Sequence, residues 1–202
     1  MPRSPKQLEE HRKQKKKLIM DVALELFAKG GFHATSISQI TRKAGISKGL
    51  IYNYFSSKQD MLEEITETAY NEVYKNFDLD KDGVLTNEEF IFFIKETFRI
   101  VRENMSFWQL YFALMVQPGI QESFSEKYQE KSKPILNQIY AFLQKNGSTD
   151  PEGDLFVLSS LVEGAILYLV VAPDIFPSGK MEDKILQACF RLISTPEAPP
   201  KN

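Results

Sequence analysis

The stretch TSISQITRKAGISKGLIYNYFSSK, residues 35–58, leaves its backbone few choices. Thr35 or Ser36 is placed to cap a short helix whose apolar residues, Ile37, Ile40 and Ala44, recur at helical spacing. Gly45 supplies a tight turn, and Ser47 caps a second short helix carrying Leu50, Ile51 and Phe55. Two capped helices around a glycine turn, apolar toward a common side, make a helix-turn-helix. The preceding LIMDVALELFAKGGF sets Leu18, Ile19, Val22, Ala23, Leu26 and Phe27 on one face, and Gly30-Gly31 ends that helix. The N-terminal segment therefore predicts a three-helix head.

In a helix-turn-helix the second helix enters the major groove with its N-terminal residues against base edges. Lys48 and Gly49 hold that position here: a long donor able to reach guanine, and a missing side chain that permits close approach. Tyr52, Tyr54 and Lys58 offer phosphate donors along the flank. Charge agrees with a polyanionic partner. Residues 1–58 hold 12 Lys and Arg against 4 Asp and Glu, a net of +8, whereas residues 59–202 hold 13 against 23, a net of −10. The run HRKQKKK, residues 11–17, adds sequence-independent attraction to phosphate or is a solvated first turn.

The segment LFAKGGFHATSISQITRKAGISKGLIYNYFSSKQDML resembles the N-terminal signature of TetR-type transcriptional regulators, nearly continuously from Asp21 to Leu62. Its marks are the aromatic after the glycine pair, Thr-Ser-Ile, Ala-Gly-Ile-Ser and Tyr-x-Tyr-Phe-x-Ser-Lys. The resemblance covers under a third of the chain. Carried over by position, it implies that Ser36, Tyr52, Tyr54 and Lys58 contact phosphate, and that Gln39, Arg42, Lys48 and Gly49 lie at or near the bases. It also implies a homodimer on a palindromic site, built through the last two helices, and a pocket for a small effector.

Beyond the head the chain reads as helices throughout, an all-α fold divided at 1–58, 59–195 and a disordered tail at 196–202. Helices are expected from about Ser57 to Phe77, Asn87 to Asn104, a long stretch interrupted or kinked at Pro134, Glu152 to Val171, and Met181 to Ser194. The run GAILYLVVA, residues 164–172, is about half the length that spans a bilayer, so a buried helix is expected rather than a membrane anchor. Glu163 within it is either a rim residue or a buried partner. No N-terminal targeting segment is expected, and the single Cys189 suits a reducing cytoplasm as a small buried residue. Aromatics crowd the middle helices. Core packing is the default for each, and Phe93, Phe107, Trp108, Tyr111 and Phe112 are the candidates for an apolar effector pocket. His11, expected in the tail, and His33, in the first interhelix loop, have no nucleophile or orienting partner, so no enzyme is expected.

One stretch stands outside this pattern. DLDKDGVLTNEE, residues 78–89, has the spacing of a 12-residue EF-hand loop, which ligates Ca²⁺ from positions 1, 3, 5, 7, 9 and 12 around a glycine at 6. These positions are Asp78, Asp80, Asp82, Val84 through its carbonyl, Thr86 directly or through water, and Glu89, with Gly83 at the turn. Apolar stripes on both flanks suit a helix–loop–helix inserted between the helix linking head to body and the next helix. Thr86 and Glu89 also read as a plain capping box, but three alternating carboxylates would repel one another without a cation. Calcium there would brace the linking helix or act as an effector.

The leading expectation is a DNA-binding repressor released by an apolar effector and carrying a calcium loop. The alternative is a calcium-binding interaction protein whose helix-turn-helix is only scaffold.

Overall fold

The computed structural model describes residues 4–120, 126–176 and 179–193. Among them there are helices and no strand. The expected tail at 196–202, and Pro177-Ser178, lie outside the described residues. The chain forms two compact units, one from Met1–Tyr70 with Ser106–Ser125, the other from Asn71–Met105 with Glu126–Asn202.

The first unit begins with α1, Pro5–Gly30. It starts earlier than the apolar stripe predicts because Ser4 and Gln7 form a reciprocal capping box and Pro5 occupies a first-turn position, where its missing N–H costs nothing. His11 and the basic run are thus helical rather than tail. Lys16 pairs with Glu64 at 2.6 Å and lies over the Phe55 ring, and Lys17 pairs with Asp21 at 2.8 Å. Next come α2, Ile37–Ala44, and α3, Lys48–Ile51. Gly45 sits at φ 65°, left-handed as the turn requires, and its N–H caps Arg42 and Thr41 carbonyls.

Two further segments complete this unit: α4, Lys58–Tyr74, through its Tyr70, and α6, Met105–Met115, with the turn that follows. Met61, Leu62 and Ile65 of α4, Leu114 of α6 and Ile120 join Ile19, Phe27, Ile40, Ile51 and Phe55 in one buried core. The expected boundary at residue 58 therefore lies inside the packed head. The cause is packing: removing these residues would open the core that α1 to α3 alone cannot close.

The second unit holds α5, Asn87–Glu103, α7, Glu126–Lys145, α8, Pro151–Val171, and α9, Lys180–Ile193. α8 packs against α5, α7 and α9, and α9 also packs on α5. Arg102 of α5 pairs with the buried Glu182 of α9. α7 runs through Pro134 as one helix rather than breaking there. Asp150 caps α8, accepting from the Gly153 N–H, with Pro151 first in the helix. Cys189 is fully buried, and burial pushes its thiol up to about 11.

α8 departs from the expected buried helix. Leu158, Ile166, Leu169 and Val170 face inward, but Phe156 is 75% and Val171 73% exposed, and Leu167 and Tyr168 are exposed too. By length and composition alone it could cross a membrane. Glu152 and Asp154 in its first turn, and Glu163 in mid-helix, break up its apolar surface.

Candidate nucleic-acid interface and acidic loop

The reading surface is built by capping chemistry. Ser36 accepts from the Gln39 N–H at 3.2 Å, while the Gln39 carboxamide oxygen accepts from the Ser36 N–H and hydroxyl at 2.7 and 2.8 Å. Ser47 caps α3 by accepting from the Leu50 N–H at 3.2 Å. These bonds hold α2 and α3 as short helices, and Ile40 and Ile51, fully buried beneath, fix which faces turn outward. Ser36, Gln39, Arg42, Lys48, Gly49 and Tyr52 are all exposed.

Gly49 is informative because the fold has no need of it. A Cβ added there would meet nothing within 4 Å, and its φ is not left-handed. A helical glycine costs about 1 kcal/mol relative to alanine. The space beside the tip of α3 is open.

One of the expected phosphate contacts, Lys58, is engaged elsewhere, and a second, Tyr54, is partly covered. Tyr54 is half-buried against the head core. Lys58 donates its ammonium to the carbonyls of Phe32, His33 and Thr35 at 2.9, 3.2 and 2.5 Å, and lies 5.0 Å from the centre of the Phe32 ring. All three of its donors close the α1–α2 loop, so in this geometry Lys58 is a loop clamp with none left for phosphate.

Sequence reasoning missed the second clamp on that loop. The Gln117 carboxamide donates to the Phe27 carbonyl at 2.8 Å and accepts from the Phe32 N–H at 3.0 Å. Nothing local marks this residue, because its partners lie 85 to 90 positions away.

The aromatic residues expected to line one pocket fall into two groups. Phe107, Trp108, Tyr111 and Phe112 form a chain of ring contacts along α6 in the first unit, with Trp108 only 4% exposed. Phe93 lies in the second unit, stacked on Tyr74 at 5.5 Å and edge-on to Phe77 at 5.0 Å. An open groove of about 530 Å³ between α5 and α9 is lined by Ile91, Lys95, Leu186 and Phe190 among others, and by none of the five.

The acidic loop joins α4 to α5. Ligand-capable oxygens of Asp78, Asp80 and Asp82 lie within 4.8 Å of one another. Gly83, at φ 81°, makes the turn, and its N–H donates to Asp78 Oδ2 at 3.0 Å. Leu85 anchors the loop in the interior. Glu89 does not join the three carboxylates. Its Oε1 accepts from the Leu79 N–H at 2.9 Å and its Oε2 from the Thr86 N–H and hydroxyl at 3.0 and 2.8 Å. The Thr86 bonds, followed by the weaker one from Leu79, hold its carboxyl below the ordinary range against the opposing effect of burial. The capping box and a fold-back across the loop thus take both oxygens expected to chelate metal. Asp78 Oδ1 is buried and accepts no hydrogen bond.

A three-helix head with an exposed, capped helix-turn-helix, followed by a helical body, defines a DNA-binding class of all-helical proteins. Comparison makes it specific: residues 19–65 match the family model for bacterial regulatory proteins, tetR family. The head is of the tetR type. Similar curated proteins include the uncharacterized HTH-type transcriptional regulator YuxN of Bacillus subtilis, 40% identical over 31% of this chain and 21% of its own length. The fatty acid metabolism regulator protein of the same organism is 27% identical over 62% of this chain and 64% of its own length. The chain thus aligns with between a fifth and about two thirds of these relatives, which are named as regulators and not as enzymes. Among solved structures, the transcriptional regulator FadR from Bacillus subtilis in complex with stearoyl-CoA superposes with a TM-score of 0.60, covering 88% of this chain and 97% of that one. At 18% identity the likeness speaks for the fold.

Proposed function

We propose that this protein is a dimeric DNA-binding transcriptional regulator of the tetR type, a repressor that binds a palindromic site and is released by a small apolar effector. The observation that carries the reading is the exposed Lys48-Gly49 pair, where a helix is weakened by a glycine the fold does not use. A guanine-reading donor beside a position without a side chain is what close approach to a base edge asks for. Arg42 and Tyr52 add donors to the same exposed surface, for bases and for phosphate.

Dimerisation is supported by α8. Its outward Phe156, Leu167, Tyr168 and Val171 make an apolar face of the kind that marks an association site. A second copy of the same helix pair, α8 with α9, is the self-complementary occupant, and two-fold symmetry suits a palindrome. The effector reading rests on the α6 aromatics and on the acyl-CoA complex of the similar regulator. Action on DNA places the protein in the cytoplasm.

The loop at residues 78–89 is proposed as a Ca²⁺ site. The donor set fits: three carboxylates converge, and one buried carboxylate oxygen lacks a donor. Asp78, Asp80 and Asp82 would hold the ion, with Val84 and Thr86 as further oxygen donors, and the ion would neutralise the carboxylates. The alternative, a calcium-binding interaction protein with an inert head, predicts no preference among DNA sequences. Selection of bound fragments from random duplex DNA, with and without Ca²⁺, tests the whole proposal. Recovery of an inverted repeat supports it, and failure to enrich any sequence removes it.

A further inference from the structure

Calcium takes six to eight oxygen ligands, and the loop as folded falls short of its nominal set. Both Glu89 oxygens are engaged by backbone and Thr86 donors, so the twelfth position does not turn toward the three carboxylates. A neighbouring helix supplies a candidate replacement. Gln138 of α7 donates its Nε2 to Asp78 Oδ2 at 3.3 Å. Its own carboxamide oxygen is buried and has no hydrogen-bond partner, as is Asp78 Oδ1.

Two buried acceptors thus occur on a bonded pair of side chains, 60 residues apart in sequence, at the edge of a carboxylate trio. Buried acceptors without donors are strongly disfavoured. A cation held by the trio satisfies the Asp78 oxygen and offsets the surplus negative charge, which a hydrogen-bond donor alone does not. A half-turn of the Gln138 amide, exchanging its nitrogen for its oxygen, turns that oxygen to the Asp78 side. Gln carbonyl oxygens are ordinary calcium ligands. α7 is held in place for this role: one turn beyond Gln138, Phe142 is buried and stacks on Phe90 of α5 with ring centres 5.0 Å apart.

We infer that Gln138 is a calcium ligand supplied from outside the loop, so that the metal fastens α7 to the segment joining α4 and α5. The inference rests on the reading of residues 78–89 as a calcium site. It also gives a lone loop what a second paired loop would otherwise provide, a fixed neighbour. The metal then does more than brace its own twelve residues: it couples the central part of α7 to the loop.

The test is calorimetric titration of metal-stripped, full-length protein with Ca²⁺, beside hydrogen exchange of α7 amides with and without the ion. Wild type is expected to bind and to gain protection around residues 134–142. Gln138→Leu should lose at least about tenfold in affinity, the loss usual even for groups that only orient a ligand, and should show no gain of protection. Gln138→Glu, which restores an oxygen at the same reach, should recover binding; a purely structural carboxamide predicts no such rescue. If wild type binds and Gln138→Leu binds equally well with the same α7 protection, the inference is overturned while the loop site stands. If wild type takes up no Ca²⁺ at millimolar concentration, the loop reading fails and this inference falls with it.

Discussion

The Gln117 carboxamide nitrogen lies 2.8 Å from the Phe27 carbonyl oxygen, tying the turn after α6 to the last residues of α1. The same side chain accepts from the Phe32 N–H, so one residue satisfies a donor and an acceptor on either side of Gly30-Gly31. Gln117→Leu should lower head stability by about 1–3 kcal/mol, since it strands partly buried backbone groups. Thermal unfolding followed by circular dichroism reads this directly. Gln117→Glu keeps the acceptor and loses the donor, so its midpoint should fall between the two.

Lys58→Met separates a loop clamp from a phosphate contact. Its ammonium serves three carbonyls, so the substitution should lower the melting midpoint of DNA-free protein. A phosphate contact alone would leave that midpoint unchanged and instead flatten the salt dependence of DNA binding.

These two clamps show where sequence reading reached and where it stopped. The helix-turn-helix was legible because its determinants are local: Ser36 with Gln39, Ser47 with Leu50, and left-handed Gly45 all act within a few residues. The start of α1 was equally local, in Ser4, Pro5 and Gln7, but a basic run with no apolar stripe hid it. Gln117 and the burial of Leu114 and Ile120 in the head core were not legible, because they depend on contacts across most of the first half of the chain. Lys58 illustrates a different limit. Spacing marks it as a cation near the DNA-facing surface, but only the fold reveals three carbonyls within its reach. In the acidic loop both the ligand pattern and the Thr86–Glu89 capping box were legible. Which of the two holds Glu89 was not, because it depends on the Leu79 N–H folding back across the loop.

Glu163 makes the stability of the folded chain sensitive to pH. Desolvation by partial burial raises its carboxyl above the ordinary value of 4.5. A carboxyl raised in the folded state is still protonated there when the unfolded chain has ionised. Its contribution is therefore fully present below 4.5 and is lost as pH rises through the raised value. Glu163→Gln should flatten this slope and raise the melting midpoint at neutral pH, as measured by thermal unfolding across the pH range. An unchanged pH profile would show that Glu163 is not desolvated in the folded chain.

The carboxyl of Glu89 carries the opposite sign. Hydrogen bonds from Thr86 and Leu79 lower it, so its contribution is fully present above 4.5 and is lost as pH falls through the lowered value. Glu89→Gln should remove that acid-side loss from metal-free protein, and the check is the melting midpoint followed from neutral to acidic pH.

The central claim, that the exposed tip of α3 reads DNA, is tested most directly by equilibrium titration of wild type, Lys48→Ala and Gly49→Ala. Each is titrated at one fixed salt concentration against the selected inverted repeat and a scrambled duplex. The account predicts that wild type prefers the repeat, and that Lys48→Ala loses about 1–3 kcal/mol there and relaxes its preference at one base pair. Gly49→Ala should melt at a higher temperature, by relief of the helical glycine cost, yet bind the repeat more weakly because its methyl group meets the bases. Equal binding of both duplexes by wild type, or a Gly49→Ala protein that is more stable and binds the repeat as tightly as before, would contradict it.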